Sequence, residues 1–301
     1  MISVIVCTYN RARRLEQALK SLQEMAVPVG LPWELIIVDN NSSDNTKEII
    51  DEFINKSNLN VKYVVERHQG LSHARNIGIQ ESSGNIIAFT DDDCIVDQHW
   101  ITSISKEFQS DESIAGIGGR VELYNKMDRP ISIRIHKEKI IFSSIDRIFN
   151  LIIGCNMAFA RPVFDEIGMF DTDFGAGTRF ASAEDSDFLY RAHKKGLKII
   201  YSPDVLVYHN HGRRHHEQIK AAYKGYAIGH GAFYCKYILM ADKDVFHLAC
   251  AEVSSLLKQI TKRFINGQSS AHQRLFLLSI VTGFTYRLVN INSPINSRNR
   301  L

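Results

Sequence analysis

No two cysteines in this 301-residue chain are spaced as CxxC, and the five present, Cys7, Cys94, Cys155, Cys235 and Cys250, are odd in number and scattered. That argues against a disulfide framework or a zinc knuckle and for reduced thiols in a cytosolic compartment. No apolar run reaches the length a membrane-spanning helix needs. The opening run at residues 2–7 is short and has no basic leader, so no signal peptide is expected. Internal repeats and low-complexity tracts are missing too. Neither a GxxxxGK[ST] phosphate loop nor a GxGxxG dinucleotide turn occurs, which removes the usual supports for ATP hydrolysis and hydride transfer.

What is present is ordinary in amount and uneven in placement. A hydrophobic share of 45% and a charged share of 23% suit a globular protein with a sizeable core. The net charge of +3 is the balance of two unlike parts. Residues 211–301 carry 13 Lys and Arg against 4 Asp and Glu, whereas residues 1–210 are net acidic. An acidic site in front and a basic surface behind are the natural expectation.

Along the first hundred residues the apolar pattern alternates between two periods. "ISVIVCTYN", "WELIIVDNNSSD", "VKYVVE" and "GNIIAFTDDD" are short apolar runs that close in polar residues, as buried strands do. Between them, "RRLEQALKSLQEM", "TKEIIDEFINK" and "GLSHARNIGIQES" have helical spacing. Strand–helix alternation predicts an α/β fold with a mostly parallel sheet flanked by helices on both faces. Such sheets bind ligands beyond the carboxyl ends of their strands. The clusters around Thr8 and Arg11, around Asp39 and Asp44, and at Asp91, Asp92 and Asp93 all fall there. Further on, a helix near Trp100, a strand "IAGIGGRVEL", a strand "LIIGCNMAFARP", a short helix "VFDEIGMFD" and a helix "AEDSDFLYRAHKKG" are expected. A basic helical region follows "DVLVYH".

Three consecutive aspartates repel one another unless they lie in water or share a positive partner. The motifs around them point to the second case. "VIVCTYNR", "IIVDNNSSDNT", "GLSHARNIGI", "IIAFTDDD" and "AEDSDFLYR", in this order over residues 1 to about 210, resemble the family 2 glycosyltransferases with the GT-A nucleotide-sugar fold. A lone DxD is a weak signal; five ordered motifs are specific.

The resemblance implies an inverting transfer of a sugar from a nucleoside diphosphate sugar to an acceptor hydroxyl. It also implies a role for each matching residue. Asp93 would bind a divalent metal, Mn²⁺ or Mg²⁺, hard ions suited to carboxylate oxygen. Asp91 or Asp92 would face the ribose and sugar. Asp39 would accept the N3–H of uracil, an edge that thymine shares. Thr8, Tyr9 and Asn10, with Arg11, would border the nucleotide, and Arg75 would meet the base or diphosphate. Asp185 would be the general base, with Glu184 the alternative within the pair. His209 and His211, at alternate positions after a strand, would complete the metal shell or touch the diphosphate. Plainer accounts exist for several of these: a turn cap at Asp39, a surface ion pair at Arg75, and a Ser182-x-x-Asp185 capping box at the second acidic cluster.

Residues 1–210 are therefore expected to form the catalytic domain and residues 211–301 a basic helical extension. The apolar stretch 275–289 suits either a packing helix or one lying in a membrane interface. With a glycan or lipid-linked acceptor in polysaccharide synthesis, this predicts a cytoplasmic protein with a peripheral contact at the inner face of the membrane. No nucleic-acid motif stands in the basic tail. Two rival functions use the same acidic rim. A sugar-nucleotide nucleotidyltransferase would want glycines near "CTYNRARR", and a non-catalytic binding module would be expected to have lost one of the acidic motifs.

Overall fold

The computed structural model describes residues 1–290. Each expected strand–helix repeat forms. Strand β1 (Ile2–Thr8) leads to helix α1 (Ala12–Gln23), β2 (Trp33–Asp39) to α2 (Thr46–Lys56), and β3 (Val61–Val65) to α3 (Leu71–Gln80), before β4 (Ile86–Asp91). Parallel pairing sets these four strands in the order β3-β2-β1-β4. The period-2 alternation of β1 explains the two covered faces. Val4 and Val6 join Leu15 and Leu19 of α1 in the main core. Ile5 points the other way, toward α3, where a Cβ on Gly78 would stand 2.7 Å from its Cγ2. Only a glycine lets α3 lie this close to the sheet.

Beyond β4 the sheet turns mixed. The short β5 (Cys94–Val96) and helix α4 (Trp100–Ser110) are followed by β6 (Ile114–Leu123) and a two-residue β7 (Ile140–Ile141). Next come β8 (Asn156–Ala160), helix α5 (Pro162–Ile167), helix α6 (Glu184–Lys194) and the long β9 (Lys198–His209). β8 runs antiparallel to β4 and β6, and β5 antiparallel to β9. The strand expected across "LIIGCNMAFARP" begins only at Asn156. The N–H and C=O of Gly154 bond to side chains instead of a neighbouring strand.

The chain divides into two compact units. One holds residues 1–172 and 184–214; the other holds residues 173–183 and the chain from His215 onward. In the second, helices α7 (His216–Ile238), α8 (Lys243–Ile265) and α9 (Ala271–Val289) pack together. A segment ahead of α6 thus belongs to the helical unit. Residues 291–301 of the expected extension lie outside the described residues.

α7 and α9 cross almost backbone to backbone. A Cβ on Gly231 would stand 1.9 Å from the Ile280 carbonyl oxygen, and one on Gly283 2.0 Å from that of Ile228. Ile280 and Gly283 are buried at this crossing, so part of the apolar stretch 275–289 is packing surface.

Candidate active site

Parallel register brings the polar strand ends to one rim. Thr8 stands opposite Asp39, and Cys7 opposite Asp91. His209, the last residue of β9, pairs with Cys94 and so arrives beside Asp93.

The positive partner that the aspartates need is supplied first by the chain itself. Arg11 Nη1 lies 3.1 Å from Asp92 Oδ1 and 2.8 Å from Asp93 Oδ2. The Thr8 hydroxyl donates to Asp92 Oδ2 at 2.8 Å. Arg14 Nη1 approaches Asp93 Oδ2 at 3.4 Å and also donates to the His211 carbonyl. His209 Nε2 stands 3.3 Å from Asp93 Oδ1. These surroundings split the two buried carboxyls. Burial holds Asp92 above the usual carboxylate range, because Arg11 offsets it incompletely. Burial works in the same direction on Asp93, but the hydrogen bond and charge of His209, with Arg11 and Arg14, hold it below that range. For His209, burial opposes the charged form; the Asp93 hydrogen bond overrides it and pushes the imidazole up to about 9. Asp93 and His209 are thus a charge-assisted pair.

The second acidic cluster reaches the first through Arg75. This residue is 2% exposed, which rules out a surface ion pair. Its guanidinium lies beside the edge-to-face pair Phe89 and Phe170, 5.8 and 5.5 Å from their ring centroids. Nη1 donates to Glu184 Oε1 at 2.9 Å, and Nη2 to the Gly154 carbonyl at 3.1 Å and to Asp91 Oδ1 at 3.5 Å. The Gly154 N–H in turn donates to Asp185 Oδ2 at 2.9 Å, while Asp185 Oδ1 accepts from the Ser186 N–H. Ser182, ahead of the Glu184–Asp185 pair, donates its hydroxyl to the Gly225 carbonyl. Ala183 sits at φ 73°, a strained conformation for a residue with a Cβ, directly before the acidic pair. Burial and the neighbouring Asp185 push Glu184 up to about 7 despite Arg75. Burial likewise raises Asp91 and carries the Cys7 thiol up to about 12.

The remaining sequence candidates spread along the rim. Asp39 is buried, accepting from the Ser42 N–H at 2.8 Å and from the Tyr63 hydroxyl at 3.1 Å. Asn10, at φ 51°, accepts through Oδ1 from the N–H groups of Ser43 and Asp44 and ties the first rim loop to the second. Tyr9 is exposed.

Among the described residues, the metal-type donors that come together are Asp93, Cys94 and His209, all within 4.8 Å of one another. The carboxylate and imidazole suit Mn²⁺ or Mg²⁺ in type. The Cys94 thiol, raised well above its ordinary range by burial, is a soft donor that does not. His211 is outside this group. Alternation does put its ring on the side of His209, with centroids 4.9 Å apart. Its Nδ1, however, accepts from the Arg213 N–H at 2.9 Å, and its buried Nε2 has no hydrogen-bond partner. In the neutral ring that bond puts the proton on Nε2.

Three contributors escaped the sequence. Arg14 follows Arg11 by one helical turn, a spacing that could have signalled a shared target. Gly154 acts through its backbone, which no residue type announces. Asp128, buried in an irregular stretch, accepts from Arg214 Nε at 2.7 Å and the Gly212 N–H at 2.9 Å, fixing the turn after β9.

The order β3-β2-β1-β4, the antiparallel continuation and an acidic rim at the strand tips define a GT-A fold. Solved structures agree. The mannosyltransferase PcManGT from Pyrobaculum calidifontis, in complex with GDP-Man and Mn²⁺, is similar at a TM-score of 0.67 and 18% identity over 95% of this chain and 87% of that one. TarS of S. aureus in complex with UDP-GlcNAc is similar at a TM-score of 0.57 and 20% identity, over 76% and 66%. Residues 3–168, more than half of the chain, match the family described as Glycosyl transferase family 2, and the protein belongs to that family. Relatives include the glycosyltransferase AglE of Haloferax volcanii, 28% identical over 69% of this chain and 66% of that protein. Chondroitin synthase of Escherichia coli is 26% identical over 69% and 34%. The chain spans between about a third and two thirds of the length of these curated relatives.

Proposed function

We propose that the protein is a glycosyltransferase that moves one sugar from a nucleoside diphosphate sugar to a hydroxyl of a growing polysaccharide or lipid-linked glycan. The observation that carries this reading is the joining of the two acidic clusters by buried Arg75. It sets Asp91 and the Glu184–Asp185 pair around one backbone segment at Gly154. Family membership supports the reaction class. UDP is the favoured carrier because Asp39 stands at the tip of β2, and a UDP-GlcNAc complex among similar structures accords with it. A GDP-Man complex among them makes the guanine carrier the one to compare.

In this proposal Asp93 and His209 would hold a divalent cation, which when bound would supply positive charge to offset the negative charge on the departing diphosphate. Arg11, now on Asp92 and Asp93, is within reach of the same phosphates. Asp185 takes the proton from the acceptor hydroxyl on the face opposite the leaving group, so the anomeric centre inverts. Both its oxygens accept backbone N–H bonds, which fix the carboxylate without neutralising it. Glu184 is committed to Arg75, and this favours Asp185 over it as the base.

Asp185→Asn keeps the side chain's size but cannot accept a proton. Turnover with saturating donor and acceptor should fall by roughly 10²–10⁴, with donor affinity near wild type. An unchanged rate would remove Asp185 from the mechanism.

A further inference from the structure

Helix α8 is long and poorly covered. Of its 23 residues only Val245 is buried. Glu252 faces inward, accepting from the Tyr234 hydroxyl at 2.6 Å and standing 3.1 Å from His230 Nδ1 on α7. The outward side is apolar. Phe246, Cys250, Leu257 and Phe264 recur at steps of four and seven residues and so form one stripe. All four are exposed, Phe264 by 81%, as is Ile265 by 75%. Leu257 and Ile265 share a shallow groove with Lys258, Thr261 and Lys262.

The charge on this side has one sign. Between residues 245 and 290 the only acidic residue is Glu252, and it is turned to α7. Helix α9 exposes Leu278, Val281, Tyr286, Leu288 and Val289 as well, but it carries no lysine and its Arg287 is paired with Asp173. Past its first turn, where Asp244 is exposed, α8 offers an apolar stripe edged by Lys258 and Lys262 whose one acid faces α7, and this fits the interface of an anionic bilayer. There the side chains enter the acyl boundary and the ammonium groups meet lipid phosphates. A second copy is a poorer occupant, because two-fold pairing along the stripe would bring the lysine edges close to each other.

We propose that α8, and not the stretch 275–289, seats the protein on a membrane of anionic lipid. This accords with a lipid-linked acceptor but does not rest on it, for exposure and charge carry it without reference to the transfer reaction.

The test is co-sedimentation of the full chain with phosphatidylcholine vesicles, with and without phosphatidylglycerol, at low and high salt. Wild type should sediment with the phosphatidylglycerol vesicles at low salt and be released by high salt. Each lysine near such a surface contributes about fivefold, so Lys258→Glu with Lys262→Glu should weaken partition by at least roughly 25-fold. Phe264→Ser with Ile265→Ser, both exposed and free to change without repacking, should weaken it at low salt. Sedimentation of these variants at the wild-type level would overturn the proposal. So would a wild type that stays in the supernatant, or one that binds phosphatidylcholine alone equally well. A wild-type dimer that Phe264→Ser with Ile265→Ser converts to monomer, without vesicle binding, would give the face to a second copy. No donor or acceptor enters the assay, so its failure leaves the glycosyl-transfer reading standing.

Discussion

Arg75 shows how one side chain can set the properties of several others. It is the shared partner of Asp91, Glu184 and Gly154, and replacing it would leave the buried Glu184 and the half-buried Asp91 without their cation. Even with it in place, Glu184 retains a proton to about 7 in the folded chain, against 4.5 as an ordinary carboxyl. Between those values the native state binds more protons than the unfolded state, so this group's contribution to stability falls as pH rises. Glu184→Gln keeps the oxygen that Arg75 uses and removes the titration. The stability of Glu184→Gln relative to wild type should therefore rise from about pH 4.5 to 7 and level off above. Denaturant midpoints across that range check it, and a flat difference would show that Glu184 does not titrate there. The role of this residue was half legible beforehand. An acidic pair at a helix start was readable; its commitment to an arginine 109 positions away was not.

At the scale of elements, the crossing of α7 and α9 is a place where a general rule reverses its sign. Gly→Ala within a helix ordinarily stabilises by about 1 kcal/mol, because alanine loses less entropy on folding. At Gly283 the added methyl would meet the Ile228 carbonyl at 2.0 Å, backbone against backbone, where neither side can step aside. Gly283→Ala should instead destabilise by about 1–3 kcal/mol, the usual cost of overpacking. Thermal melts decide by direction alone, for a raised midpoint would mean the helices are not in this contact. The same close approach explains why the 275–289 stretch was ambiguous in sequence. A glycine inside an apolar helical run weakens a helix assignment by propensity, and only a neighbouring backbone reveals its use. Helix α8 is the converse case. Its apolar residues were unremarkable on the page until the fold left them without cover.

For the whole molecule, a ligand that binds only the folded chain raises its stability by mass action, by about 2.7 kcal/mol at a hundredfold excess over Kd. A thermal-shift screen of UDP-, dTDP- and GDP-sugars should give the largest rise with a UDP-sugar and Mn²⁺ together. EDTA should remove most of that rise, and Asp93→Ala all of its metal-dependent part. A shift indifferent to both would detach Asp93 from the metal role.

The sequence by itself determined the alternation of strands and helices, the rim where the strands end, and the acids that stand on it. Those features are local, written in periods of two and 3.6 residues and in the polar residues that close each apolar run. Tertiary structure decided which groups meet. Parallel register set Cys7 beside Asp91, helix α1 then laid Arg11 and Arg14 over Asp92 and Asp93, and β9 delivered His209 while the turn after it bound the Nδ1 of His211 to the backbone. Such partners lie tens to hundreds of residues apart. Strand register and helix packing, and not the local pattern of either segment, fix their separation to a few tenths of an ångström.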